Sequence, residues 1–167
     1  DSYVKSINPK AVLVGEIWDS ASYIAAYQNT LDSAFVFSVG ESIISSLQKN
    51  TMNYLGSNIK DYYDRLTSEN PRFVPAPFLT NHDQIRAMNQ IGNIDKYKAA
   101  AAIYLTLPGA PYVYYGEEIG MMGSKPDERI REPFLWSEDP SKNTSWIDAT
   151  NDSAIALENQ IGDVNSI

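Results

Sequence analysis

The strongest constraint on this chain is a repeated order: an apolar extended run, then polar residues, then a helical stretch. Ala11–Gly15 is a continuous apolar run of the kind buried on both faces of a parallel sheet. Ser33–Val39 repeats it, with Ala34, Phe35, Val36 and Phe37 in series. Phe73–Thr80 is a third extended segment, whose Pro75 and Pro77 disfavour helix, and Pro111–Tyr115 is a fourth. Between them, Ile43, Ile44, Leu47, Leu55, Ile59 and Tyr62 have helical spacing across Glu41–Arg65, with interruptions expected at Asn50-Thr51 and Leu55-Gly56-Ser57. Asp95–Leu107 is the clearest helix; Asp95 can cap it and Pro108-Gly109 stops it. Polar side chains follow the strands: Glu16 and Asp19, Glu41, Asn81-His82-Asp83, and Glu117-Glu118.

Strands alternating with helices at this spacing predict an α/β fold of parallel strands joined by crossover helices. In a β/α barrel the residues just after the strands form the C-terminal rim, where catalysis takes place. A complete barrel needs about 250 residues and eight strands. With four strands in 167 residues, the expectation is a partial (β/α)8 TIM barrel. The chain opens at Asp1 without Met and closes at Ile167, inside a stretch (Ala154–Ile167) that reads as the approach to a further helix. Residues 1–167 are therefore expected to be half a barrel, truncated at both ends.

Composition removes several function classes. A net charge of −8 argues against nucleic-acid backbones and anionic membrane surfaces as partners. No cysteine is present, which excludes disulfides, thiolate chemistry and zinc–thiolate sites. No apolar run approaches the roughly 20 residues of a membrane span. Gly123–Asn151 is a long polar loop, and a loop of that length is more often functional than idle.

An apolar run that stops on Glu16 and is followed by Trp18 is expected to bury a carboxyl and raise its pKa. A carboxylic acid still protonated near neutral pH can serve as a general acid. The single histidine, His82, sits beside Asp83 directly after another apolar run. Two carboxylates on neighbouring rim positions are the raw material for glycosidic-bond cleavage. Asn81 and His82 can hydrogen-bond sugar hydroxyls, and Trp18 offers an apolar platform for a sugar face. Simpler readings stand beside these. Glu16 could be a structural carboxylate paired with Lys or Arg, and His82 a satisfied loop histidine. Glu117-Glu118 reads as hydrogen bonding at a strand exit, and Trp136 and Trp146 as anchors of the long loop. Asp127, Glu128, Glu138 and Asp139 read as a solvated acidic loop, without the Asp-x-Asp-x-Asp-Gly spacing of a calcium loop.

On these residues the chain resembles the α-amylase family of glycoside hydrolases. Gly15-Glu16-Ile17-Trp18 is similar to the family's fifth-strand segment, which carries the general acid/base, and Phe78–Asp83 to the segment after the seventh strand, which carries the third carboxylate. Leu107–Met121 resembles the eighth strand and its exit, Arg129–Trp136 the Arg-x-Pro-x-x-Trp loop, and Asp163–Ile167 the start of the last barrel helix. The resemblance therefore implies strands five to eight of the barrel, with their helices. It implies catalytic roles for Glu16, which protonates the leaving oxygen and later activates water, and for Asp83, which holds and distorts the sugar. It implies that His82, Trp18, Asn81 and Arg131 contact substrate. The implied activity is cleavage of α-1,4-glucosidic bonds of starch or maltodextrins with retention, by double displacement. Retention requires a nucleophile about 5–5.5 Å from the acid. The family takes it from an Arg-x-Asp segment on the fourth strand, and nothing like that segment precedes Val12, so this polypeptide alone is expected to be inactive. An oligosaccharide α-glucosidase (α-1,4 or α-1,6) and a non-catalytic amylase-like ectodomain remain alternatives. The expected partner is an α-glucan or maltooligosaccharide, with neither nucleic acid nor membrane, and open barrel edges favour self-association. No cofactor or metal site is visible in these residues; Ca2+ in the complete enzyme stays open. The compartment is open as well: extracellular if the substrate is polymeric starch, cytoplasmic if it is maltodextrin.

Overall fold

The computed structural model describes residues 2–164 and 166. Along the chain run α1 (Ser2–Ile7), β1 (Val14–Gly15), α2 (Ala21–Ala25), β2 (Ser33–Phe35), α3 (Phe37–Gln48), α4 (Leu55–Leu66) and β3 (Val74–Ala76). Then follow α5 (Ala87–Ile91), α6 (Ile94–Thr106), α7 (Asp127–Ile130) and α8 (Leu157–Gln160), with 3-10 turns at Glu117–Ile119, Pro140–Lys142 and Ser153–Ile155. No helix among the described residues is long and apolar enough to cross a membrane. The chain divides into two compact units, Asp1–Phe78 with Ile103–Tyr112 and Leu79–Ala102 with Val113–Ile167.

The first unit holds a parallel sheet in the order β1-β2-β3, with Val14 opposite Ser33, Ala34 opposite Pro75, and Phe35 opposite Ala76. Helices separate the strands in sequence, as parallel pairing requires. Its buried residues include Ile24, Ala34, Val36, Ile43, Leu47, Ile59, Leu66 and Ala76, and α4 packs against α2 and α3. The Asp32 carboxylate accepts from the Leu13 N–H and Lys5 Nζ, both at 2.8 Å, while its carbonyl accepts from Val74 N at 2.9 Å. The Lys5 bond, then the Leu13 bond, holds the Asp32 carboxyl below its ordinary pKa.

Several expectations are corrected here. Ala11–Gly15 is not buried on both faces: Val12 is 70% exposed and Val14 and Gly15 are half-buried. Among the described residues β1 pairs only with β2, so it is an edge strand. Pro111–Tyr115 is extended but is not a ladder strand. Ala110 N and Tyr112 N donate to the carbonyls of Pro75 and Pro77, both at 2.9 Å. In a parallel ladder the Ala110 carbonyl would in return accept from the N–H of residue 77, and proline has none. The two prolines thus lie on the side of β3 facing that segment, while Val74 and Ala76 keep the ladder to β2 intact. Gly109, with φ +127, completes this approach, since a Cβ there would sit 2.1 Å from the Pro75 oxygen.

The helix interruption falls between Gln48 and Leu55, where Asn50 has φ 53; Leu55-Gly56-Ser57 opens α4 instead of breaking a helix. The cap of α6 is Asn93, whose Oδ1 accepts from Lys96 N at 3.0 Å, and Asp95 lies inside the first turn. In the second unit Ile119, Met121, Leu135 and Ala156 form a buried cluster, with Phe134, Ile155 and Leu157 packed on it. The long polar loop is ordered from within, because the buried Glu132 accepts bonds from Thr150 and Asn151. Asp163–Ile167 includes residues 165 and 167, which lie outside the described residues.

Candidate active site

In the first unit, β1 delivers Glu16 immediately after its last residue, Gly15. The chain then turns, with Asp19 N donating to Ile17 O at 3.0 Å, and Ser20 caps α2 through Tyr23 N. The Glu16 side chain is exposed, which corrects the expected burial. Its strand lies at the sheet edge, and the run that precedes it does not enclose it. Trp18 stacks on Phe37 with ring centroids 4.7 Å apart at 12°, and its Nε1 donates to Glu41 Oε1 at 3.1 Å. One indole face is therefore fixed against a buried ring, while the side chain stays 57% exposed. A rigid aromatic face with that exposure can serve as a stacking platform.

The second unit assembles the other candidates. Asn81 Oδ1 accepts from Asp83 N at 3.0 Å and Asn81 O from Gln84 N at 3.3 Å, an Asx turn that presents His82 and Asp83. The turn uses one acceptor position of the Asn81 oxygen and leaves its second lone pair and the Nδ2 amide for further hydrogen bonds. Arg131 Nη2 donates to Asp83 Oδ1 at 2.7 Å, and Arg131 Nε donates to His82 O at 3.0 Å. His82 Nε2 lies 3.5 Å from Asp83 Oδ2. Arg131 also reaches Asp127 Oδ2 at 3.2 Å. The bond from Lys125, with Arg131 and His82 adding their charge, holds the Asp127 carboxyl below its ordinary pKa. Asn81, His82, Asp83 and Arg131 are thus brought together, with Asp83 held in place as a hydrogen-bond acceptor. The acidic loop is not simply solvated. Asp127 is paired with Lys125 and Arg131, Glu138 accepts from Asn159, and Asp139 caps the 3-10 turn at Ser141. Trp136 tilts against Phe134 at 4.5 Å but remains 55% exposed, as does Trp146.

Beneath the Asp83 turn lies a residue that sequence reasoning missed. Arg86 is fully buried: its Nε donates to Ile130 O at 2.9 Å and its Nη1 to Tyr115 O at 2.7 Å. Its guanidinium carbon sits 4.5 Å and 5.0 Å from the ring centroids of Tyr114 and Tyr115. The available signal for Arg86 was a charged residue three positions after Asp83, set between the apolar Ile85 and Ala87. Glu117, which reads as structural in the sequence, is buried and accepts from Thr80 Oγ1 at 2.9 Å, Thr80 N at 3.3 Å and Tyr114 N at 3.3 Å. Its neighbour Glu118 is exposed.

A family model described as alpha amylase, catalytic domain, matches residues 1–166. The chain is 44% identical over 172 residues to alpha-amylase 3 of Dictyoglomus thermophilum, covering 99% of this chain and 34% of that protein. It is 34% identical over 141 residues to alpha-amylase SusG of Bacteroides thetaiotaomicron, covering 83% and 20%. The crystal structure of an alpha-amylase from H. orenii matches with a TM-score of 0.88 at 39% identity, covering 99% of this chain and 35% of that one. The chain thus spans about a third or less of the length of these relatives. With these neighbours, its three parallel strands and helices are a TIM-barrel-derived fold.

Proposed function

The chain belongs to the α-amylase family, and from that premise we propose that it is the C-terminal half of the catalytic barrel of a glycoside hydrolase. The reading assigns strands five to eight to this chain, and cleavage of α-1,4-glucosidic bonds in starch or maltodextrins to the whole protein. The alpha-amylase names of the similar proteins support that choice of substrate.

Glu16 is the general acid/base. As the acid it gives its proton to the leaving glycosidic oxygen while an upstream carboxylate attacks the anomeric carbon. As the base it then takes a proton from the water that breaks the glycosyl–enzyme bond, so configuration is retained. Asp83 accepts hydrogen bonds from hydroxyls of the sugar being cleaved, with His82 and Asn81 adding to the same grip. Trp18 supplies the apolar face, and Arg131 orients Asp83. The observation that carries the reading is the Asp83 carboxylate, kept half-exposed and bonded to Arg131 at 2.7 Å. An acceptor already oriented before the sugar arrives spends less of the binding energy on ordering.

The test is hydrolysis of a long maltooligosaccharide by the full-length protein, its Glu16→Gln variant and the 167-residue chain alone. General acid–base catalysis is worth about 10²–10⁴-fold. The variant is expected to lose at least ~10²-fold in turnover, and the isolated chain to show none. Equal turnover in protein and variant would remove Glu16 from the chemistry and overturn the reading.

A further inference from the structure

We propose that Arg86 is a positioning residue that sets the Asp83–Arg131 pair from below; the proposal rests on the role given to Asp83 above. Arg86 touches neither Asp83 nor the Arg131 side chain. It lies three residues beyond Asp83, and it holds the carbonyl of Ile130, the residue before Arg131, at 2.9 Å. Its own N–H donates to Gly123 O at 3.0 Å, and Nη1 donates to Tyr115 O at 2.7 Å. One side chain thus joins the turn carrying Asp83 to the turn carrying Arg131, and both to the last residue of the extended run at 111–115.

Core packing does not account for an arginine here. A fully buried guanidinium is costly unless its nitrogens are matched. Here Nη2 has no bonded partner among the described residues. A Met or Leu would fill the space without that cost, but neither can hold two carbonyls in fixed directions. The planar fork does so while stacking on Tyr114 and Tyr115, a combination lysine cannot reproduce. The surroundings are built to admit it. Gly116 takes φ +86, and a Cβ there would stand 3.0 Å from Nη1 and 2.5 Å from Met121 Sδ. Glu117, held by Thr80 and Tyr114, is a buried carboxyl close enough for the Arg86 charge to favour its ionised form.

The experiment uses the full-length protein with Arg86→Lys, Arg86→Gln, Asp83→Asn and the R86K/D83N double variant. It reads kcat/KM on a maltooligosaccharide, thermal melting, and amide hydrogen exchange. Arg86→Lys is expected to lower kcat/KM about tenfold or more in the parent but no more than about twofold in the Asp83→Asn background, because a residue acting through Asp83 has little left to disturb there. Exchange should quicken at residues 81–86 and 130–131, with α3 unchanged. An undiminished kcat/KM, or an equal loss in both backgrounds, overturns the proposal. So does loss of folding in both Arg86 variants, which would make Arg86 a core residue only. If the parent does not cleave α-glucans, the glycosidase reading fails by itself. Exchange then decides on Arg86, with unchanged rates overturning its positioning role.

Discussion

Glu117 and Glu132 are buried carboxylates of the second unit, and their surroundings push them in opposite directions. Burial raises Glu117 to about 7, and the bonds from Thr80 and Tyr114 with the charge of Arg86 only partly oppose it. Burial raises Glu132 too, but Thr150, Asn151 and Arg129 bond its oxygens at 2.6 to 3.1 Å and leave it below its ordinary value. The consequences for stability differ in sign. The folded state binds the Glu117 proton more tightly than the unfolded chain does. Its contribution is therefore complete below about pH 4.5 and is lost as the pH rises through about 7. Glu132 contributes above its unfolded value and loses that contribution as the pH falls through its lower folded value. From pH 5 to 8 the Glu117 effect amounts to roughly 3 kcal/mol at most, because each tenfold difference in proton affinity is worth ~1.4 kcal/mol. Denaturant unfolding across that window should show stability declining in the parent and flatter in Glu117→Gln; parallel curves would contradict it. None of this was legible in Gly-Glu-Glu. The desolvating and bonding groups of Glu117 include Thr80 and Arg86, more than thirty positions away in sequence.

At the scale of elements, helices were legible where their signals are local. α6 was recognisable from its composition and from its Pro108-Gly109 stop, although its cap lies two residues before Asp95. An Asx side chain caps by accepting from the third N–H of the helix, and Asn93 does this to Lys96. Asn93→Ala is expected to cost about 1 kcal/mol of stability, and Asp95→Ala less, through its weaker interaction with the helix dipole. Melting both variants tests this; a larger loss for Asp95→Ala would return the cap to Asp95. Strands were legible as apolar runs but not in extent. The ladder ends where donors end, so Pro75 and Pro77 leave the segment at 110–112 with two bonds and no strand.

At the scale of the whole molecule, the sheet ends on an edge strand, β1, among the described residues. Among the described residues β1 has one partner, and Val12, Trp18 and Val74 are exposed beside or within the sheet strands. Expressed alone, the 167-residue chain is expected to self-associate or to melt without cooperativity. Light scattering at high concentration with calorimetry checks this, and a monomer with a sharp melt would contradict it. The sequence by itself determined the alternation of parallel strands and helices, and the delivery of Glu16 and Asn81-His82-Asp83 directly after apolar runs. Periodicity, proline and glycine act through neighbours along the chain, so these features are written locally. Only the tertiary structure decided which charges are desolvated and which are paired. It left Glu16 exposed, buried Arg86 and Glu117 instead, and set Arg131 on Asp83, because burial and bonding there come from residues the chain brings back from far along its length.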